Sequence, residues 1–97
     1  MNKLLSYYTS LFGTSGSERD IRQGIINEIK SYAEVKVDRL GNIIALKRGE
    51  NPDFPIKVMI DAHMDEVGLM VTAITDEGYL KFDKIGGIDD RTLLSKQ

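Results

Sequence analysis

The chain has no cysteine and no tryptophan, only 2 prolines, and a single histidine among 97 residues. Without cysteine there is neither a disulfide scaffold nor a thiolate metal site. Any metal ligand must be histidine, aspartate or glutamate, and one histidine narrows that choice sharply. Charge of one sign is lacking too. The 13 Lys+Arg and 15 Asp+Glu leave a net charge of −2, which gives no electrostatic case for a nucleic acid or an anionic membrane as partner. No apolar run approaches the ~18 residues of a membrane-spanning helix. The start, Met1-Asn2-Lys3-Leu4-Leu5, turns polar at Ser6 and has no apolar core or small-residue cleavage site of a signal peptide. A cytoplasmic location is therefore expected.

What is present reads as a folded protein. Counted with glycine and without tyrosine, the apolar fraction is about 46%, inside the globular range of roughly 45–50%. The length fits one small domain or a piece of a larger one. A domain of this size buries roughly 60–65% of its unfolded surface, so modest stability is expected.

Leu4, Leu5, Tyr8, Leu11 and Phe12 form an apolar stripe at helical spacing over residues 3–12. Gly13-Thr14-Ser15-Gly16-Ser17 breaks it; this run lacks the lysine of a phosphate-binding loop. Ser17 is positioned to cap a second helix with Glu18 and Asp20 in its first turn. Ile21, Ile25, Ile29 and Tyr32 line its apolar face, and Glu18–Arg22 forms an i,i+4 pair. The stripes of both helices, with Met64 and Met70, are expected in the core. The period then changes to two. Val35 and Val37 alternate with polar neighbours, Leu40-Gly41-Asn42 turns, and Ile43–Leu46 returns as a hairpin. A loop spans Gly49–Pro55. Ile56–Ile60 is apolar at Val58, Met59 and Ile60 in succession, the pattern of a strand buried on both faces. Strands are expected at Val67–Ile74 and Tyr79–Ile85, joined at Asp76-Glu77-Gly78 and ended by Gly86-Gly87. Asp89-Asp90-Arg91 reads as a solvated charge cluster, and Thr92-Leu93-Leu94 as the start of another element. Helices followed by mixed strands indicate an α/β or α+β fold.

The chemistry is concentrated in Ile60-Asp61-Ala62-His63-Met64-Asp65-Glu66-Val67-Gly68. The only histidine and three carboxylates follow an apolar strand pattern, where α/β folds build sites. In an extended segment His63 and Asp65 share a side. An imidazole with a carboxylate two residues on suits a divalent metal. It equally suits a hydrogen-bonded surface histidine, and spacing leaves both readings open. Asp65 and Glu66 point to opposite faces of an extended chain, a poor geometry for the paired carboxylates of a glycosidase. Glu66 is read as a structural residue bonding nearby backbone.

Four segments together resemble the N-terminal part of the M42 family of metallo-aminopeptidases, the glutamyl and tetrahedral aminopeptidases. They are Ser15-Gly16-Ser17-Glu18 with Ile21-Arg22; Asp38-Arg39-Leu40-Gly41-Asn42-Ile43-Ile44-Ala45; Asp61–Val71; and Ile85-Gly86-Gly87-Ile88-Asp89. They come in the family's order. The resemblance implies an α/β, zinc-peptidase-like catalytic domain that holds two divalent metal ions, zinc or cobalt. It implies that His63 is a metal ligand and that Asp65 is the catalytic residue supporting it. A water bridging the metals would attack the N-terminal peptide bond of a peptide substrate.

The resemblance also places a β-rich dimerisation insert directly after the motif. Residues 1–66 would then be the N-terminal part of the catalytic domain and 67–97 the beginning of the insert. Homo-oligomers in which dimers build a dodecamer are implied. The family's other metal ligands and its general-base glutamate follow the insert, beyond Gln97. These 97 residues alone are accordingly expected to be inactive and to bind metal weakly or not at all. The edges of Tyr79–Ile85 would be left unpaired and prone to association. Two rival expectations are a non-enzymatic interaction or assembly module and, from the endoglucanase labels some family members carry, a polysaccharide hydrolase.

Overall fold

The computed structural model describes residues 2–51, 53 and 56–94. Asn2 starts helix α1 (Lys3–Tyr8) by accepting the Leu4 N–H on its side chain at 3.0 Å. The apolar stripe runs to residue 12, but the helix stops at Tyr8. The Thr9 and Ser10 hydroxyls donate to the Leu5 and Tyr7 carbonyls at 2.9 and 2.7 Å, so side chains satisfy the last turn in place of further helix. No α1 residue is buried, contrary to the expected core stripe.

Helix α2 (Arg19–Ile29) is the centre of packing. Ile21 is buried, and Ile25 and Ile29 are half-buried. Tyr32 lies past the helix and is 68% exposed, so it does not extend that face. Ser17 is not the cap. Glu18 occupies that position without a side-chain cap bond, and its Oε1 accepts the Gly16 N–H at 2.6 Å instead. Arg22 does not pair with Glu18. It reaches across to the first hairpin, its Nη1 donating to the Gly41 carbonyl at 3.2 Å.

That hairpin joins β1 (Glu34–Val37) to β2 (Ile43–Leu46), antiparallel, with Glu34 opposite Leu46 and Val37 opposite Ile43. Its turn is built by Asp38. One carboxylate oxygen accepts the N–H groups of Leu40 and Asn42 at 2.9 Å each, and the other accepts the Asn42 amide at 2.9 Å. Gly41 has φ +91°, the left-handed conformation that favours glycine.

Residues 56–60 differ from expectation. They form no strand and are exposed, with Met59 at 89% and Ile60 at 90%. A strand needs a hydrogen-bonded partner for its backbone, and among the described residues none pairs with this run; β2 lies only across a cavity from Met59 and Ile60. The second hairpin pairs β3 (Gly68–Ile74) with β4 (Leu80–Ile85), Gly68 opposite Ile85 and Ile74 opposite Leu80, with an irregularity between Val71 and Ala73. Its turn falls where expected, closed by Gly78 at φ +87°. Met70, expected in the core, is 55% exposed; Met64 is half-buried. Asp90–Thr92 forms one turn of 3-10 helix, so the element expected at residue 92 begins two residues earlier.

Ile21 is the one buried hydrophobic residue among those described. The radius of gyration is 18.7 Å, against about 13 Å for a compact chain of ~100 residues. No described helix is long and apolar enough to cross a membrane.

Candidate functional site

The exposed run 56–62 leads into a segment that is pinned at its far end. Glu66 N–H donates to the Gly13 carbonyl at 2.8 Å, and Glu66 and Thr14 form a parallel bridge. Glu66 thus acts through its backbone. His63 and Asp65 lie just before this tie. Nδ1 of His63 is 3.0 Å from the Asp65 carbonyl oxygen and 3.2 Å from Asp65 Oδ1. Both partners are acceptors, so either bond requires the proton on Nδ1. In the neutral ring with its proton on Nδ1, Nε2 is the nitrogen left with a lone pair for a metal. A carboxylate on the distal nitrogen also orients the ring. The His63 side chain is 86% exposed and that of Asp65 41%.

The donor set fits one metal ligand with its supporting carboxylate. Among the described residues no three His, Asp or Glu side chains converge on a common point, and these residues do not complete a site. The tandem carboxylates of residues 89 and 90 are paired elsewhere. Asp89 meets Arg91 in an exposed ion pair, and Asp90 Oδ1 lies 2.7 Å from Lys84 Nζ. The expected solvated cluster is therefore exposed but ion-paired.

His63 and Asp65 face a cleft of about 250 Å³, lined across from them by Ser15, Glu18, Arg22, Gly41 and Asn42. Glu18 is held below the usual carboxylate range chiefly by the Gly16 N–H, then by its own backbone N–H. Arg22 nearby adds to this, and the Asp65 charge opposes it. Asp38 is likewise lowered, first by the Asn42 side chain and then by the Asn42 backbone. The cleft is lined by the carboxyl groups of Glu18 and Asp65, with Arg22 reaching from α2 to the hairpin turn; Asp38 braces that turn from outside the lining. Sequence reasoning placed Ser15, Glu18, Arg22, Gly41 and Asn42 in separate motifs and missed their meeting beside His63. The signal was the clustering of polar residues and glycines in two loops, which does not say what a loop faces.

A family model described as M42 glutamyl aminopeptidase matches residues 41–97. The chain is similar to the lysyl aminopeptidase of Pyrococcus furiosus, 45% identical over 87 residues, covering 88% of this chain and 24% of that protein. Among solved structures it is similar to the TET1 peptidase of Pyrococcus horikoshii, described as able to assemble into a tetrahedron or a large octahedral shell. There the identity is 51% and the TM-score 0.75, with 92% of this chain and 26% of the other covered. The dodecameric PhTET1-12s structure gives 49% identity and a TM-score of 0.75 over 94% of this chain and 27% of that one. The chain spans about a quarter of the length of the curated relatives it matches (26% and 24%).

Proposed function

From the premise that this chain belongs to the M42 glutamyl aminopeptidase family, we propose that the whole protein is a metal-dependent aminopeptidase releasing N-terminal residues from peptides. The observation that carries this reading is the His63–Asp65 pair, which lies inside the matched residues 41–97. In this reading His63 contributes one metal ligand through Nε2. Asp65 keeps the proton on Nδ1, fixes the ring plane and strengthens the ligand. The cofactor is a pair of divalent ions, zinc or cobalt, which when bound would polarise the scissile carbonyl and lower the pKa of a water. Both histidine and carboxylate ligands suit either metal.

Residues 1–66 are proposed as part of the catalytic domain and 67–97 as the beginning of a β-rich dimerisation insert. A homo-oligomer, dimers assembling to a dodecamer, is proposed by analogy with the shells described for the TET1 peptidase. The proposed location is cytoplasmic. The 97 residues alone are proposed to be inactive. Catalytic zinc usually takes about three protein ligands, and the described residues bring no such group together. No observation favours an assembly-only role or glucan hydrolysis.

The test is His63→Ala in the full-length protein, read by metal content and by hydrolysis of aminoacyl p-nitroanilides. We expect metal affinity to fall by ~100-fold or more, beyond the 10–100-fold typical of losing a supporting partner, and hydrolysis to fall with it. Unchanged metal content and activity would remove His63 from the site. Glucan hydrolysis that survives exhaustive chelation would overturn the peptidase reading.

A further inference from the structure

The backbone of residues 56–65 forms no hydrogen bond to another segment among the described residues; the first tie is Glu66 N–H to the Gly13 carbonyl. Where His63 stands relative to α2 therefore depends on how residues 13–14 meet residues 66–68. That junction is close-packed in an otherwise open molecule. Thr14 is 7% exposed, the one buried polar residue among those described. A Cβ added to Gly68 would overlap the Thr14 Cγ2 methyl. On the other side, a Cβ added to Gly13 would stand 2.8 Å from Cγ2 of Ile21, a buried residue of α2. Two glycines thus let three layers touch: α2 through Ile21, the loop at Gly13-Thr14, and the segment leaving the His63–Asp65 pair.

We propose that Thr14 is a positioning residue for the His63–Asp65 pair, its methyl group seated on the bare backbone of Gly68 beside the Gly13–Glu66 bond. The inference rests on the peptidase reading of His63. The side-chain atoms of Thr14 that meet Gly68 are the Cγ2 methyl and Cβ, not the hydroxyl, so the methyl is the working half of the side chain. A side chain that packs against this methyl pushes residues 66–68 away from the loop. The imidazole three to five residues upstream then leaves its place in the cleft, although the change touches neither His63 nor Asp65.

The experiment uses the full-length protein, with zinc affinity, the visible absorption of the cobalt-loaded protein, kcat and KM as readouts. Gly68→Ala is expected to weaken zinc binding by roughly 10–100-fold, as loss of an orienting partner does. It should also change the cobalt spectrum and lower kcat with KM within about twofold. Combining it with Thr14→Ser, which removes the obstructing methyl, restores most of the loss. If Gly68→Ala does not fold, Thr14 is read alone: Thr14→Ser weakens zinc binding several-fold, and Thr14→Val, which keeps a methyl, does not. Wild-type zinc affinity and cobalt spectrum in Gly68→Ala, or in Thr14→Ser, would overturn the proposal even with a lowered melting temperature. A Thr14→Val variant as defective as Thr14→Ser would overturn it too. His63→Ala separates the two readings. If it loses metal while Gly68→Ala and Thr14→Ser do not, the peptidase reading stands and the positioning role falls. If His63→Ala itself keeps its metal, the peptidase reading falls.

Discussion

The two hairpins arise from the same kind of sequence and end in different surroundings. In β1–β2, four residue pairs are closed by Asp38 and tied to α2 by Arg22. In β3–β4 the strands are longer, and Leu69, Met70, Val71 and Phe82 are all 45–55% exposed. Thr75 and Gly78 close that turn, with the Tyr79 N–H reaching the Thr75 hydroxyl at 3.2 Å. Pairing is local and needs only alternation and a turn. Burial needs a second element, and α2 shades only part of the first hairpin: Val35 and Ile43 are half-buried, while Val37, Ile44 and Leu46 are 47–56% exposed.

The largest expected effect tests the packed side of this contrast. Ile21→Ala should cost about 2 kcal/mol, the low end for a buried isoleucine because the surrounding contacts are sparse. Val71→Ala in the open hairpin should stay within about 0.5 kcal/mol. Denaturant titrations of the two variants give the comparison, and equal losses would mean that β3 is as well covered as α2.

Next come the turn glycines. Gly41 and Gly78 share a left-handed φ, near +90° in each, so alanine at either costs roughly 1–2 kcal/mol in backbone strain. At Gly41 the added Cβ would also stand 2.5 Å from Arg22 Nη1, while at Gly78 it meets open space. Gly41→Ala should therefore be the worse of the pair, and should free the Arg22 guanidinium from the Gly41 carbonyl. Melting temperatures rank them; Gly78→Ala as the worse would break the contrast.

Smaller still is the pH response of the two turns. The Asp38 pKa lies below its usual 3.8, held there first by the Asn42 side chain, and that of Glu77 below its usual 4.5, held first by its own backbone N–H. A carboxylate lowered in the folded state stabilises above its unfolded pKa, and this is lost as pH falls through the folded value. Acid should thus loosen the second turn beginning near pH 4.5 and the first beginning near pH 3.8. Amide exchange at Gly78 and at Asn42 between pH 5 and 3 reads the order. Simultaneous loss would show that both turns respond to one global transition.

The contrast also marks how much was legible in the sequence. Both hairpins, their turns and α2 follow from period and turn chemistry, which act over a few residues. Alternation alone could not say that Met70 stays exposed, because exposure depends on what covers a face. The same holds for residues 56–60. Their apolar run matched a buried strand, but a strand takes its hydrogen bonds from a neighbour. Arg22 went astray for a related reason. Its i,i+4 partner was available, but Gly41 offered a carbonyl with no competing side chain.

At the candidate site the division is similar. One histidine, no cysteine and an aspartate two residues on were enough to single out His63 and Asp65, because among 15 carboxylates only those near His63 can share a site with an imidazole. Their mutual hydrogen bond also follows from that spacing in an extended segment. The cleft they face needed the folded chain. Ser15 and Glu18 lie some 45 residues upstream, and nothing local brings them to His63. The tie is a single bridge between Thr14 and Glu66, possible because Gly13 and Gly68 carry no side chain. Short-range chemistry selects which residues can act. Close approach of distant backbones, which only packing sets, determines where they act together.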